Sequence, residues 1–180
     1  MVGTRATLRA VQAKGSLRAS MREVRRAIAA DPADRLARSE RIWVQIVNAT
    51  ALGPPCNVLL FESLPTEPET SGWFAWCREH GVATFAPEVD GPALHAMPAV
   101  VSSEGAAPID PGLLDVVVVP GLAFTADGRR LGQGGGHYDR FLPQLRAGCV
   151  TIGAAFAEQV LEDIPTEPHD VRLDIVVTDA

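Results

Sequence analysis

The chain carries three cysteines, a single lysine and no long apolar run, and each shortage narrows what it can be. Cys56, Cys77 and Cys149 are odd in number and stand at no metal-ligand spacing. Reduced thiols in a cytoplasmic protein are the simplest account, rather than a disulfide scaffold or a thiolate-held zinc. A membrane-spanning helix needs roughly 18 or more consecutive apolar residues, and none occurs, so no membrane partner is expected. No internal repeat is evident. No serine, histidine and aspartate stand at a recognisable nucleophile spacing. The two best-known phosphate loops are missing as well: there is no GxxxxGK followed by Ser or Thr, and no GxGxxG closing a βαβ unit.

What the chain does have is enough apolar material for a core, 47% of 180 residues, which bounds it as one domain over residues 1–180. Its charge is uneven. Residues 1–41 hold ten basic and four acidic residues, and the remainder six basic and eighteen acidic. A cationic start can be a transit peptide or a nucleic-acid arm, but helix geometry gives a better reason. At about 100° per residue, Leu17, Met21, Val24 and Ile28 form an apolar stripe, with Lys14, Arg18, Arg22 and Arg25 on the sector beside it. The cations then sit at a packing seam, and no nucleic-acid partner is expected. Every basic residue other than Lys14 is arginine.

The richest stretch is Asp115 to Pro143, DVVVVPGLAFTADGRRLGQGGGHYDRFLP. A four-valine strand empties into Gly132, Gly134, Gly135 and Gly136, whose missing Cβ atoms let backbone N–H groups curl around an anion. The residues after them suggest a helix whose positive end points at the same spot. Asp139 could hold Mg²⁺ bridging phosphate oxygens, and Arg130 and Arg140 could pair with those oxygens. The same glycines could also be a plain turn.

Strands are expected at 57–61, 82–86, 115–119, 150–155 and 173–177. Helices are expected at 35–52, at 71–80 closed by Gly81, at 141–147 and at 158–163. The alternation predicts an α/β fold, a three-layer sandwich whose mostly parallel central sheet is covered by helices on both faces. Trp73, Phe74 and Trp76 are read as core rather than as a stacking platform. Between Glu88 and Gly112 periodicity fades, and the segment reads as a connector or an irregular excursion.

VPGLAFTADGRRLGQGGGHYDRFL, Lys14-Gly-Ser-Leu-Arg18 and the closing IGAAFAEQVLEDIPTEPHDVRLDIVVTD together resemble the 5-formyltetrahydrofolate cyclo-ligase family, also called methenyltetrahydrofolate synthetases. Phe61 to Thr70, FESLPTEPET, is a fourth, looser match. The resemblance implies ATP as co-substrate, Mg²⁺ as cofactor, 5-formyltetrahydrofolate as partner and a monomeric, cytoplasmic enzyme. It assigns Lys14 and Arg18 to ATP phosphates. The nucleotide loop would be Arg130, Leu131, Gly132, Gln133, Gly134, Gly135, Gly136, His137 and Tyr138. Arg130 would also steady transferred charge as the catalytic residue. Asp139 and Asp170 would bind the metal, Glu67 would hydrogen-bond the pterin, and Tyr138 would contact substrate. Each aspartate also has a plainer reading, Asp139 as a helix cap and Asp170 as a turn former.

The chain departs from the family in its short middle (88–112), in His137 before Tyr138, in Glu88 after Pro87 and in Phe61. The implied chemistry is ATP-driven dehydration: the formyl oxygen attacks the γ-phosphate, the 10-nitrogen closes the ring and phosphate leaves. Positioning and charge neutralisation suffice for such a transfer. Two other readings are a paralogue that binds nucleotide without cyclising folate, and a different reaction on a related scaffold, on sugar phosphates or CoA esters. The short middle supports the first. The lack of a catalytic Glu or Lys constellation counts against the second.

Overall fold

The computed structural model describes residues 3–50, 52–99 and 106–180. Two helices open it, α1 (Gly3–Ala29) and α2 (Pro32–Thr50). There follow β1 (Asn57–Leu59), α3 (Ser71–Glu79), β2 (Ala83–Asp90), β3 (Ala93–Pro98), β4 (Val116–Val119), β5 (Ala123–Phe124), β6 (Arg130–Leu131), α4 (His137–Phe141), β7 (Val150–Ala154) and β8 (Ile175–Val177).

A run of four valines offers no polar face, so it must be covered on both sides. β4 meets that demand at the centre of a six-stranded sheet ordered β3-β2-β1-β4-β7-β8, parallel throughout except for the edge strand β3. Val116 and Val118 point to one face, where Ile28, Ile42, Trp43, Ile46 and Trp73 of α1, α2 and α3 cover them. Val117 and Val119 point to the other, against Leu94, Leu114, Phe141 and Leu142. The fold is therefore an α/β sandwich, with a thick helical layer on one face and a thin one on the other. Trp73 stacks on Trp43 at 5.4 Å and belongs to the core, as the sequence predicts.

The helix boundaries have local causes. α2 starts three residues earlier than expected because Asp31 accepts the N–H groups of Ala33 and Asp34, with Pro32 in the first helical position. Gly81, at φ 69°, ends α3 as anticipated. The helix expected at 141–147 is displaced: α4 spans only His137–Phe141 and passes into a 3-10 turn at Leu142–Gln144, where Pro143 removes a donor. The helix expected at 158–163 does not form. Only Ala157–Gln159 turns, because the Gln159 side chain donates to the carbonyls of Gly121 and Leu122, while Leu161 N–H pairs with Phe124 O.

The largest correction concerns the middle. Residues 88–98 are not irregular but complete a hairpin in which β2 pairs antiparallel with β3 in a register from Phe85↔Pro98 to Asp90↔Ala93. Gly91, at φ 53°, makes the turn. The small β5–β6 hairpin is pinned to the chain just before β8, where Leu173 N–H donates to Gly128 O. A Cβ on Gly128 would lie 2.1 Å from Leu173 O, so only glycine permits that approach.

Candidate active site

In an open, mostly parallel sheet, ligands bind beyond the carboxyl ends of the strands where the chain switches direction across the sheet. Here β1 is followed in sequence by β2 on one side, and β4 lies on the other. The loops leaving β1 (61–67) and β4 (120–121) open at that switch into a cavity of about 310 Å³.

Every site residue assigned by the family resemblance lines this cavity, whereas Arg140, read from the glycine stretch as a phosphate partner, does not. Lys14 and Arg18 come from α1, Glu67 from the loop after β1, and Arg130 and Leu131 from β6. Gly132, Gln133, Gly134, Gly135 and Gly136 form the adjoining loop; His137, Tyr138 and Asp139 come from α4, and Asp170 from the segment before β8. The stretch 130–139 therefore holds two walls at once.

The glycines approach closely. A Cβ on Gly132 would lie 2.7 Å from Arg130 Nη1, and Gly136 takes φ 67° to start α4. α1 braces the loop, with Arg18 Nε donating to Gly132 O at 3.0 Å and Arg22 Nη2 to Gln133 Oε1 at 3.2 Å. With only five residues, α4 is too short to supply the aligned dipole expected of it. The groups left to attract an anion there are the loop amides and the arginines. Arg140, exposed, turns away to the carbonyls of Pro92 and Gly135.

Charge in the cavity is tightly paired. Lys14 is 4% exposed, and its Nζ lies 2.7 Å from Glu167 and 2.6 Å from Asp170. Asp170 also accepts the Glu167 N–H at 2.7 Å, so its turn-forming role is real. Asp139 is not a cap: Gly136 occupies that position, and the Asp139 carboxylate accepts from Arg130 Nη2 at 3.0 Å. The Lys14 ammonium and the Arg130 guanidinium, both assigned to phosphate, are thus held by the two aspartates assigned to metal.

Three buried side-chain polar atoms among the described residues lack a hydrogen-bond partner: Arg130 Nε, the Tyr138 hydroxyl and, in the core, Trp43 Nε1. Two of the three belong to residues of this cavity. Burial pushes the Tyr138 phenol well up, against the pull of Arg130, so it stays protonated and able to donate. The Arg130 guanidinium carbon lies 5.5 Å from the centre of the Tyr138 ring.

These features fit the groups that the family implies. The glycine loop, Arg130 Nε and Lys14 suit phosphate oxygens. Glu167, His169 and Asp170 place ligand atoms within 4.8 Å of one another, and carboxylate oxygens suit Mg²⁺, a hard cation.

The opposite end of the cavity escaped sequence reasoning. Phe61, Leu64, Pro87, Val89 and Leu94 make it apolar, and three of these come from the β2–β3 hairpin. The signal was there: Gly91-Pro92, the two-residue turn between Asp90 and Ala93, is flanked by alternating apolar residues. Arg25 was counted among the seam cations without a partner. It is 2% exposed and lies 3.2 Å from Glu67. No helix among the described residues is long and apolar enough to cross a membrane.

A mouse protein named 5-formyltetrahydrofolate cyclo-ligase is 28% identical over 194 residues, spanning 92% of this chain and 93% of its own length. The Mycolicibacterium smegmatis protein of the same name is 43% identical over 67 residues, a segment covering 37% of this chain and 34% of that protein. Among solved structures, the 5,10-methenyltetrahydrofolate synthetase of Mycoplasma pneumoniae superposes with a TM-score of 0.80 at 24% identity, covering 93% of this chain and 99% of the other. That of Aquifex aeolicus gives 0.77 at 25%, over 92% and 89%. The family model described as the 5-formyltetrahydrofolate cyclo-ligase family matches residues 10–179, and the chain belongs to that family of ligase enzymes.

Proposed function

We propose that the protein is an ATP- and Mg²⁺-dependent 5-formyltetrahydrofolate cyclo-ligase, a single-domain monomer that forms 5,10-methenyltetrahydrofolate and releases ADP and phosphate. The observation that carries the reading is the pair of unpartnered, buried donors, Arg130 Nε and the Tyr138 hydroxyl, in a glycine-lined cavity with an apolar far end. A buried donor without an acceptor costs about 1–3 kcal/mol, which an incoming oxygen would recover.

The formyl oxygen on the 5-nitrogen attacks the γ-phosphorus, and the bond to ADP breaks. The amide oxygen has become a phosphate ester and can leave. The 10-nitrogen then attacks the formyl carbon, loses its proton, and phosphate departs with the original formyl oxygen. No nucleophilic side chain is required, only positioning and charge neutralisation. Lys14 and Arg18 hold the ATP phosphates with the amides of residues 131–138. Arg130 neutralises charge on the transferred group. Glu67 accepts from the pterin edge, and Tyr138 donates to the substrate. Mg²⁺, held through Asp139 and Asp170, would neutralise phosphate charge when bound. The apolar wall of Phe61, Pro87, Val89 and Leu94 suits the flat, weakly polar body of a folate.

The hairpin removes the main reason for preferring a module that binds nucleotide but not folate, since the short middle still builds an apolar wall. The test is the rise of methenyl absorbance with purified protein and 5-formyltetrahydrofolate. Conversion only when ATP and Mg²⁺ are both present is expected. Conversion without ATP would overturn the mechanism, and MgATP binding with no conversion would favour the binding module.

A further inference from the structure

Among the described residues Arg25 is the one arginine with essentially no solvent exposure, 2%, and it does not line the cavity. A buried guanidinium is costly unless all its donors are used. Here they are. Nε donates to Thr66 O at 3.1 Å, Nη2 to Thr66 Oγ1 at 2.7 Å and Nη1 to Gly121 O at 3.3 Å, and Nη1 also lies 3.2 Å from Glu67 Oε1.

Its partner is equally constrained. Glu67 is 5% exposed, lines the cavity and accepts the Leu64 N–H on Oε2 at 3.0 Å. Each carboxylate oxygen thus has one protein partner and, with two lone pairs, room for one more. Burial pulls the Arg25 guanidinium below its ordinary value, and the Glu67 carboxylate acts in the opposite sense. The two charges depend on each other. Gly121 O also receives Gln159 Nε2, and the neighbouring Pro120 O accepts from Arg130 Nη1 at 3.3 Å. Arg25 therefore ties the Glu67 loop to the turn after β4 that carries the Arg130 contact.

We propose that Arg25 is a positioning residue for the folate: it holds the Glu67 carboxylate fixed in the cavity wall, ready to accept N–H bonds from an amino-substituted heterocycle. This rests on the reading that Glu67 contacts the substrate. Arg25 touches neither ATP nor folate and acts on the folate through Glu67.

The experiment compares Arg25→Gln, Arg25→Lys, Glu67→Gln and the Arg25→Gln/Glu67→Gln double variant. KM for 5-formyltetrahydrofolate and kcat come from methenyl absorbance, and ATP affinity from calorimetry. Losing a well-placed charged acceptor should raise the folate KM of Arg25→Gln about tenfold or more. ATP affinity and kcat should hold, Arg25→Lys should restore part of the loss, and Arg25→Gln should add almost nothing once Glu67 is Gln. Should Arg25→Gln fail to fold, Arg25→Lys alone and on Glu67→Gln gives the same comparison with a smaller rise. A folate KM and an ATP Kd that worsen together, or an Arg25 effect that persists undiminished on Glu67→Gln, would make Arg25 a structural residue and overturn the proposal. A wild-type folate KM in Glu67→Gln overturns it differently, by removing Glu67 itself from the substrate.

Discussion

The two ends of the cavity are built in different ways. The phosphate end is assembled mostly from one continuous stretch, 130–139, closed by two side chains of α1 and by the segment around Asp170. The opposite end is gathered from the loop after β1 and from both strands of an edge hairpin, residues spread from position 61 to position 94. The first is dense in paired charge, the second apolar and partly open, with Leu64 and Val89 both more than half exposed. A site that needs many oriented amides close together is most readily made by local chain geometry. A flat apolar slot needs only surfaces that meet.

Substitutions at the two ends should therefore fail differently. Asp139→Asn keeps size and polarity but removes a charge that Mg²⁺ requires and that Arg130 now pairs with. Turnover should fall by about 100-fold or more, roughly 2.7 kcal/mol of barrier, with a sharply higher Mg²⁺ requirement in a titration of rate. A wild-type rate and Mg²⁺ dependence would take Asp139 out of the metal site.

Lys14→Met comes next. A lost charged hydrogen bond of about 1.5–3 kcal/mol weakens ATP binding roughly 10- to 150-fold by calorimetry. Because Lys14 also neutralises Glu167 and Asp170, thermal stability should drop as well. An unchanged ATP affinity with a lowered melting temperature would reduce Lys14 to a structural ion pair.

At the apolar end, Val89→Ser should raise the KM for 5-formyltetrahydrofolate about fivefold, the loss of roughly 1 kcal/mol of apolar contact. ATP affinity should be untouched. An equal effect on both ligands would erase the distinction between the ends.

The smallest effect concerns the loop that carries Glu67. Burial alone would raise the Glu69 carboxyl, but Ser71 and the Arg35 guanidinium outweigh it and hold it below its ordinary value of 4.5. A carboxyl depressed on folding contributes stability that is full above its unfolded value and is lost as pH falls through the folded one. Glu69→Gln should accordingly flatten the fall of melting temperature below about pH 4.5 and change little at pH 7.

Legibility from the sequence followed the same division. Gly132 to Gly136 announce themselves because backbone conformation is set locally, and the four valines of β4 could only be a central strand. The helices after β4 were overread because side-chain bonds made in the folded chain, those of Gln159 above all, compete with helix formation at positions that local pattern alone would call helical. Asp139 was assigned to the metal, with a helix cap as its plainer reading. The placement of Gly136 at the helix start removes the cap reading, and no local pattern foretells that placement. Arg25 and Glu67 stand 42 positions apart, and nothing local in either says that they meet. The hairpin was missed by overlooking Gly91-Pro92, a signal that is local and was readable.

On the proposed mechanism, one cavity transfers phosphate to the formyl oxygen and then expels it as the ring closes. Carrying out the reaction on 5-formyltetrahydrofolate with heavy oxygen in the formyl group tests this most directly, with mass spectrometry of the released inorganic phosphate. The account predicts one heavy oxygen in each phosphate, formed in step with methenyl absorbance. Unlabelled phosphate, with the label lost to water, would contradict it.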